Sequence, residues 1–202
     1  MDKMDISDVR TFGIDIDGVL RDFVASCAKQ YPKSFPEKEF SLENIDYDLW
    51  KHNFPFDNKE DFWYWFSVEN SFSIFGTAPQ IKKNVEDMNR FCKNAKHQLG
   101  IESKIVTYLI DKSIPATYHW LGRTACCIKR IVVTDSYAEK VHFVDAMIDD
   151  NVEVLREFKK AGKIAIRYAQ PWNEELAGDV DMYHVSSLEE LYGLFNVEKE
   201  LI

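Results

Sequence analysis

The sequence predicts an α/β protein: a Rossmann-like three-layer α/β/α parallel sheet carrying a small, mainly helical insertion. Three observations predict it. From about residue 80 onward, short β-branched runs alternate with amphipathic helical stretches, the order that puts helices on both faces of a parallel sheet. Near the N-terminus the run Val9-Arg-Thr-Phe-Gly-Ile-Asp-Ile16 reads as a buried strand, ended by a turn at Asp17-Gly18. Between these parts lies a stretch of different character, residues 32–79. Pro32, Pro36 and Pro55 break its first half, and Phe62, Trp63, Tyr64, Trp65 and Phe66 crowd its second. The expected organisation is a core of residues 1–31 and 80–202 with an insertion at 32–79.

The elements follow in order. Phe23 to Gln30 reads as a short helix stopped by Pro32. Within the insertion, Asn58 with Asp61 three residues on marks a helix start. Pro79 to Leu99 is predicted as one amphipathic helix, with Ile81, Val85, Met88, Phe91, Ala95 and Leu99 on one face. Pro79 suits its first turn, and Gly100 suits the position just past its end. Lys104–Tyr108 is predicted as a strand. Ser113–Leu121 is a helix, with Ser113 as its N-cap, Pro115 in its first turn and Gly122 after it. Ile128–Val133 and Val144–Ile148 are strands, Asn151–Ala161 a helix ended by Gly162, and Ile164–Tyr168 a strand. Ser187 with Glu190 forms a capping-box pattern for a last helix reaching Phe195.

The chain has 202 residues, 25 basic and 34 acidic, for a net charge of −9. That balance argues against a sheath for long nucleic acids, which needs clustered Lys and Arg. A small phosphorylated ligand is still compatible with it, because one site can be locally positive or hold a metal. Cys27, Cys92, Cys126 and Cys127 form no C-x-x-C pair and no zinc spacing. No signal-peptide pattern is visible at the N-terminus, and no apolar run approaches the ~18 residues of a membrane span. The expectation is a cytoplasmic protein with no membrane partner. The pattern leaves oligomeric state open, and a homodimer is compatible with it.

Ligands of open α/β sheets bind beyond the carboxyl ends of the strands. Asp15 and Asp17 close the first strand, Thr107 lies at the end of the Lys104 strand, and Asp149-Asp150 follow Ile148 directly. Lys140 lies in the connection just before that strand. Carboxylates converging on one mouth repel and raise one another's pKa values, a penalty that a divalent cation removes. Ligands that are all oxygen suit Mg²⁺. A Thr hydroxyl and a Lys ammonium suit phosphate oxygens. Each piece alone is unspecific: D-x-D-G also begins a calcium loop, a D-D pair also occurs in phospho-acceptor receiver domains, and a lone Lys is commonly a solvated surface residue. The ordered set is far more specific.

That ordered set resembles the haloacid-dehalogenase superfamily. Asp15-Ile16-Asp17-Gly18-Val19-Leu20 looks like its first motif, Thr107 its second, Lys140 its third and Asp149-Asp150 its fourth. Finer features resemble the 5′(3′)-deoxyribonucleotidase branch: Asp17-Gly-Val-Leu-Arg-Asp-Phe23, Ile148-Asp-Asp-Asn151 and Gln170-Pro171-Trp172-Asn173. The resemblance implies a Mg²⁺-dependent phosphomonoesterase of 5′-nucleotidase type, hydrolysing nucleoside or deoxynucleoside monophosphates. Asp15 would be the nucleophile. Asp17 would be the general acid and base, its backbone carbonyl also ligating Mg²⁺. Asp15 and Asp149 would be carboxylate ligands, with Asp150 either a ligand or an outer anchor. Thr107 and Lys140 would clamp the phosphoryl oxygens. One departure stands out: where the branch carries small residues and then a Lys, this chain reads Thr107-Tyr-Leu-Ile-Asp-Lys112. Lys112 could substitute for that contact, or the contact could be missing. Two alternatives remain at this point, a phosphatase of the same mechanism for another small phosphate ester and a non-catalytic receiver-like phospho-acceptor.

By the same resemblance, residues 32–79 would form a cap over the mouth. Trp63, Tyr64, Trp65 and Phe66 are consecutive, so one helical face cannot bury all four. For most of these aromatics a hydrophobic mini-core is the simpler role. Phe23, Tyr47 and Trp50 are the candidates for contact with a base, Phe23 by its spacing from the first motif. The five histidines are dispersed without ligand spacing.

Overall fold

A computed structural model describes residues 5–46 and 48–199. The sheet has six parallel strands in the order β3-β2-β1-β4-β5-β6. They are β1 (Thr11–Ile14), β2 (Glu102–Tyr108), β3 (Ile131–Thr134), β4 (Ala146–Asp149), β5 (Ile164–Tyr168) and β6 (Tyr183–Val185). The helices are α1 (Phe23–Ser34), α2 (Leu49–His52), α3 (Lys59–Tyr64), α4 (Asn84–Leu99), α5 (Ser113–Arg123), α6 (Val152–Lys160) and α7 (Glu190–Leu194). Two π-helical turns, Trp65–Glu69 and Phe72–Gly76, follow α3.

The strand order makes β1 the pivot. The chain runs outward from β1 through β2 to β3, then crosses to the other side of β1 with β4. Ile14 is level with Ile105 of β2 and Ile148 of β4. The carboxyl ends of three strands therefore meet at one switch point, where a crevice opens. Gly13 is what lets β1 lie this close to its neighbours. A Cβ there would come within 2.5 Å of Met147 Sδ and 2.7 Å of a Val144 methyl.

One hydrophobic cluster lies between the sheet and α4 and α7. Phe12 meets Phe91 and Phe195 edge-on at 5.7 and 5.4 Å, and all three are buried. Each buried ring of that size contributes roughly 1.5–3 kcal/mol of transfer free energy. A second cluster lies on the opposite face around Val154, Leu155 and Phe158 of α6. A third stands apart from both and is rich in aromatics, with Tyr31, Phe54, Phe62, Trp65, Phe66 and Phe75 among its buried members. Val24, Cys27 and Tyr31 of α1 belong to it, as does Ala116 of α5.

The chain leaves the sheet layer and returns to it side by side. Arg21 forms an antiparallel bridge with Gln80. Asp22 N–H donates to the Pro79 carbonyl at 3.0 Å, and Ile81 N–H to the Leu20 carbonyl at 2.9 Å. This two-stranded neck joins the aromatic unit to the sheet.

Several sequence expectations need correction. α1 does not stop before Pro32 but runs through it to Ser34. Pro32 forgoes the bond to the Ala28 carbonyl and crowds it, but the last turn still closes beyond it, with Phe35 N–H donating to the Tyr31 carbonyl at 2.8 Å. α4 starts at Asn84, not Pro79. Residues 79–81 are held in the neck and Lys82 has a φ of 48°, so the apolar spacing began before the helix did. Ser113 does not cap α5 from outside. It is the first helical residue, and its hydroxyl accepts from Ile110 N–H at 3.0 Å and donates to the Ile110 carbonyl. Gly122 lies inside α5 rather than after it. Strand β6 was not anticipated. Gly100 ends α4 with φ 72° as expected, and Asn58 caps α3 by accepting from Asp61 N–H at 2.8 Å.

Candidate active site

Asp15 follows β1 and its N–H donates to the Ile148 carbonyl at 3.1 Å, so the two strand ends hold it directly. Asp149 ends β4 and its Oδ1 accepts from Asn151 N–H at 2.9 Å. Lys140, on the 3₁₀ turn Ala138–His142, reaches under both. Its Nζ lies 2.8 Å from Asp15 Oδ1 and 2.8 Å from Asp149 Oδ2, with all three groups removed from water. Asp150 completes the group: oxygens of Asp15, Asp149 and Asp150 lie within 4.8 Å of one another.

The charges do not balance. Burial pushes Asp15 up to about 7, against the Lys140 ammonium, with Asp149 and Asp17 repelling it further. Burial also drives Asp150 well above the usual carboxylate range, helped by repulsion from Asp149 and Asp15 and opposed by the Trp172 N–H. Burial alone would lower Lys140, but the neighbouring carboxylates Asp149 and Asp15 outweigh it and leave it firmly protonated. Three buried carboxylates facing one ammonium leave negative charge unpaired, and a divalent cation among them offsets it. The donor set is all oxygen, which fits a hard cation.

A short segment after β5 locks this arrangement. Gln170 Nε2 donates to the Gly18 carbonyl at 2.6 Å. Trp172 Nε1 donates to Asp150 Oδ2 at 2.8 Å, and Asn173 Nδ2 to the Asp150 carbonyl at 2.8 Å. Gly18 is required by the same closeness: its φ is +73°, and a Cβ would lie 2.0 Å from Asp150 Oδ2.

Above the carboxylates a cavity of about 430 Å³ opens between the sheet and the aromatic unit. Asp15, Asp17, Thr107, Lys140 and Asp150 line its floor, and Phe23, Trp50, Phe62, Trp63 and Phe66 line its walls. Trp50 Nε1 is buried with no hydrogen-bond partner among the described residues, and Trp172 meets Phe23 edge-on at 6.1 Å.

The sequence matches the family described as 5′ nucleotidase, deoxy (pyrimidine), cytosolic type C protein over residues 9–201. The chain belongs to this family. It is a phosphoric monoester hydrolase of the haloacid-dehalogenase type. No curated protein sequence matches it. Solved structures agree in fold. CbbY from Rhodobacter sphaeroides in complex with phosphate is 13% identical, with TM-score 0.62 over 94% of this chain and 100% of that one. The putative HAD-hydrolase YfnB from Bacillus subtilis bound to magnesium is 16% identical, with TM-score 0.59 over 94% and 99%. A dehalogenase is 13% identical, with TM-score 0.58 over 96% and 99%.

Within this hydrolase, Asp15, Thr107, Lys140, Asp149 and Asp150 lie together, at strand ends or directly beneath them. Asp17 borders the same cavity, but its carboxylate is gripped by Arg21. Phe23 and Trp50 reach the cavity wall, and Tyr47 lies outside the described residues. Lys112 is exposed at the start of α5 and does not line the cavity, whereas Ser113 does. Tyr64 is exposed, Trp65 and Phe66 are buried, and Trp63 lines the cavity, so the consecutive aromatics divide as one helical face requires. Sequence reading assigned no part in the site to Arg21, Trp172 or Asn173, and read Ser113 only as a helix cap. Trp172 and Asn173 carried a signal, since they belong to the Gln170–Asn173 signature. Arg21 carried none.

Proposed function

We propose that this phosphatase is a Mg²⁺-dependent 5′-nucleotidase that hydrolyses nucleoside or deoxynucleoside monophosphates through a phosphoaspartyl intermediate. One observation carries the proposal: a buried carboxylate–lysine cluster forms the floor of a cavity whose walls are aromatic. A phosphate suits the floor and a flat, weakly polar base suits the walls. Asp15 and Asp149 would hold the cation through their carboxylates and Asp17 through its backbone carbonyl, with Asp150 beside them as ligand or anchor. When bound, the cation neutralises the charge of this cluster and that of the phosphoryl oxygens.

Asp15 attacks phosphorus, forming a P–O bond to its own carboxylate while the bond to the ester oxygen breaks. Asp17 gives that oxygen its proton, and the nucleoside leaves. A water then attacks the acyl phosphate and Asp17 takes its proton. The P–O bond to Asp15 breaks, releasing inorganic phosphate and restoring the carboxylate. Thr107 and Lys140 hold the transferring oxygens, where positioning and charge compensation dominate catalysis. Residues 32–79, together with α1 whose side chains share their core, act as the cap that selects substrate. Phe23 and Trp50 border the space for the base. The cytosolic character of the family and the four free cysteines support a cytoplasmic setting.

The test is phosphate release from a panel of nucleoside monophosphates and from 4-nitrophenyl phosphate, with Mg²⁺. Asp15→Asn is expected to abolish turnover while the circular dichroism stays native. Trp50→Ala is expected to raise KM for nucleotides and leave the aryl phosphate nearly unchanged. Turnover by Asp15→Asn near the wild-type rate overturns the mechanism. An unchanged preference in Trp50→Ala overturns the base site.

A further inference from the structure

Arg21 is fully buried, and none of the roles above uses it. Its Nε and Nη2 donate to Asp17 Oδ1 and Oδ2 at 2.7 and 2.8 Å, a two-pronged fork. Its remaining arm, Nη1, donates to the Phe75 carbonyl at 3.1 Å and to Thr117 Oγ1 at 3.0 Å. The guanidinium carbon lies 4.9 Å from the Phe75 ring centroid and 5.3 Å from that of Trp120. So Asp17 is fastened through one side chain to a π-helical turn of the aromatic unit and to α5.

Stability does not account for such a group. Burying a guanidinium and a carboxylate costs desolvation that their attraction only roughly offsets, and apolar replacements of buried ion pairs are often neutral or stabilising. What the fork does supply is orientation. A carboxylate has about four lone-pair positions, and two N–H groups occupy one on each oxygen, leaving the others for the cavity that Asp17 borders. Phe75 anchors Arg21 and also lines that cavity, with its ring 4.6 Å from Phe66.

We propose that Arg21 is the positioning residue of Asp17, aiming its carboxylate at the reacting phosphoryl group from a mount shared by the aromatic wall and α5. The proposal rests on the phosphoaspartyl reading, in which Asp17 transfers protons. Arg21 touches no reacting atom and acts only through Asp17. Two consequences follow. Loss of the fork slows the step in which Asp17 takes a proton from water, so the acyl phosphate accumulates. And Arg21 has nothing left to do once Asp17 can no longer carry a proton.

The experiment uses the full chain with Mg²⁺ and 4-nitrophenyl phosphate, whose leaving group departs without help from an acid. Arg21→Met keeps the length and removes every donor. Thr117→Val keeps Arg21 and its charge but removes one of its supports, and it carries the test if Arg21→Met does not fold. Both variants are expected to lower kcat with little change in KM, Arg21→Met by about tenfold or more, within the range general acid–base groups supply. Both are also expected to release a burst of nitrophenolate approaching about one equivalent per site before slow turnover. In an Asp17→Asn background neither substitution is expected to lower kcat further. Three results overturn the proposal: wild-type kcat in both variants, a lowered rate without a burst, or additive losses with Asp17→Asn. Failure of the underlying reading looks different, since Asp15→Asn would then retain turnover.

Discussion

Lys140 Nζ sits 2.8 Å from one oxygen of Asp15 and 2.8 Å from one of Asp149, and the side chain is almost wholly buried. Removing it strands both carboxylates. Lys140→Met should cost about 3–5 kcal/mol at pH 8, the cost of breaking a buried pair, and less at pH 5, where Asp15 is protonated; urea unfolding at the two pH values checks this. The sign of the metal effect follows from the same group. Asp15 titrates near 7 in the folded chain against 3.8 as a free side chain, so the folded state binds the extra proton. Without metal, this group's contribution to stability is therefore lost as pH rises from about 4 to about 7. A divalent cation replaces that proton, so Mg²⁺ should raise Tm more at pH 8 than at pH 5. Equal shifts in a thermal melt would place the ion elsewhere. Gly18→Ala should cost more than about 1 kcal/mol from its left-handed backbone alone and displace Asp150, measurable as weakened Mg²⁺ stabilisation. The carboxylates and Lys140 were legible in the sequence because each sits at a strand end or just before one, in an order that chance seldom assembles. Arg21 was not. Its partners Phe75 and Thr117 lie 54 and 96 residues away, and nothing local distinguishes a buried guanidinium from a solvated one.

At the level of elements, α6 shows how a strand end is coupled to a helix start. Asn151 caps the helix, its Oδ1 accepting from Glu153 and Val154 N–H at 2.9 and 3.2 Å, while its own N–H holds Asp149. Asn151→Ala should cost about 1 kcal/mol of stability but keeps the backbone N–H that holds Asp149, so Tm should fall while kcat stays near wild type. A fall in kcat along with Tm would tie the cap to catalysis. β5 was readable because five apolar-dominated residues stand between Gly162 and Gln170. β6 was not, because Tyr183–Val185 is a three-residue edge strand with one buried side chain, too short to show alternation. The misplaced start of α4 has a similar cause. Ile81 continues the helical spacing, but its N–H is committed to Leu20 in the neck, a tertiary bond that periodicity does not reveal.

Over the whole molecule, −9 of net charge surrounds a site that binds anions. The acidic cluster at the switch point is one part of that charge with a function. The rest sets a repulsive field toward extended polyanions. Inorganic phosphate should therefore compete with a small phosphate ester, whereas duplex DNA at equal phosphate concentration should not inhibit at about 0.15 M salt, where screening leaves only contacts within roughly 8 Å. Matched inhibition by the two would refute that picture. The neck at residues 20–22 and 79–81 carries a consequence of another kind. The aromatic unit departs and returns through backbone segments already bonded to each other, so to the sheet it is a closed detour whose length costs only a logarithmic term in entropy. In genetic terms it is a cassette. Recombination at two neighbouring positions could exchange the whole selecting surface for another, and Asp15, Asp149 and Asp150 on the far side of the splice would keep their places, while Asp17 would need a new mount for Arg21 in place of Phe75.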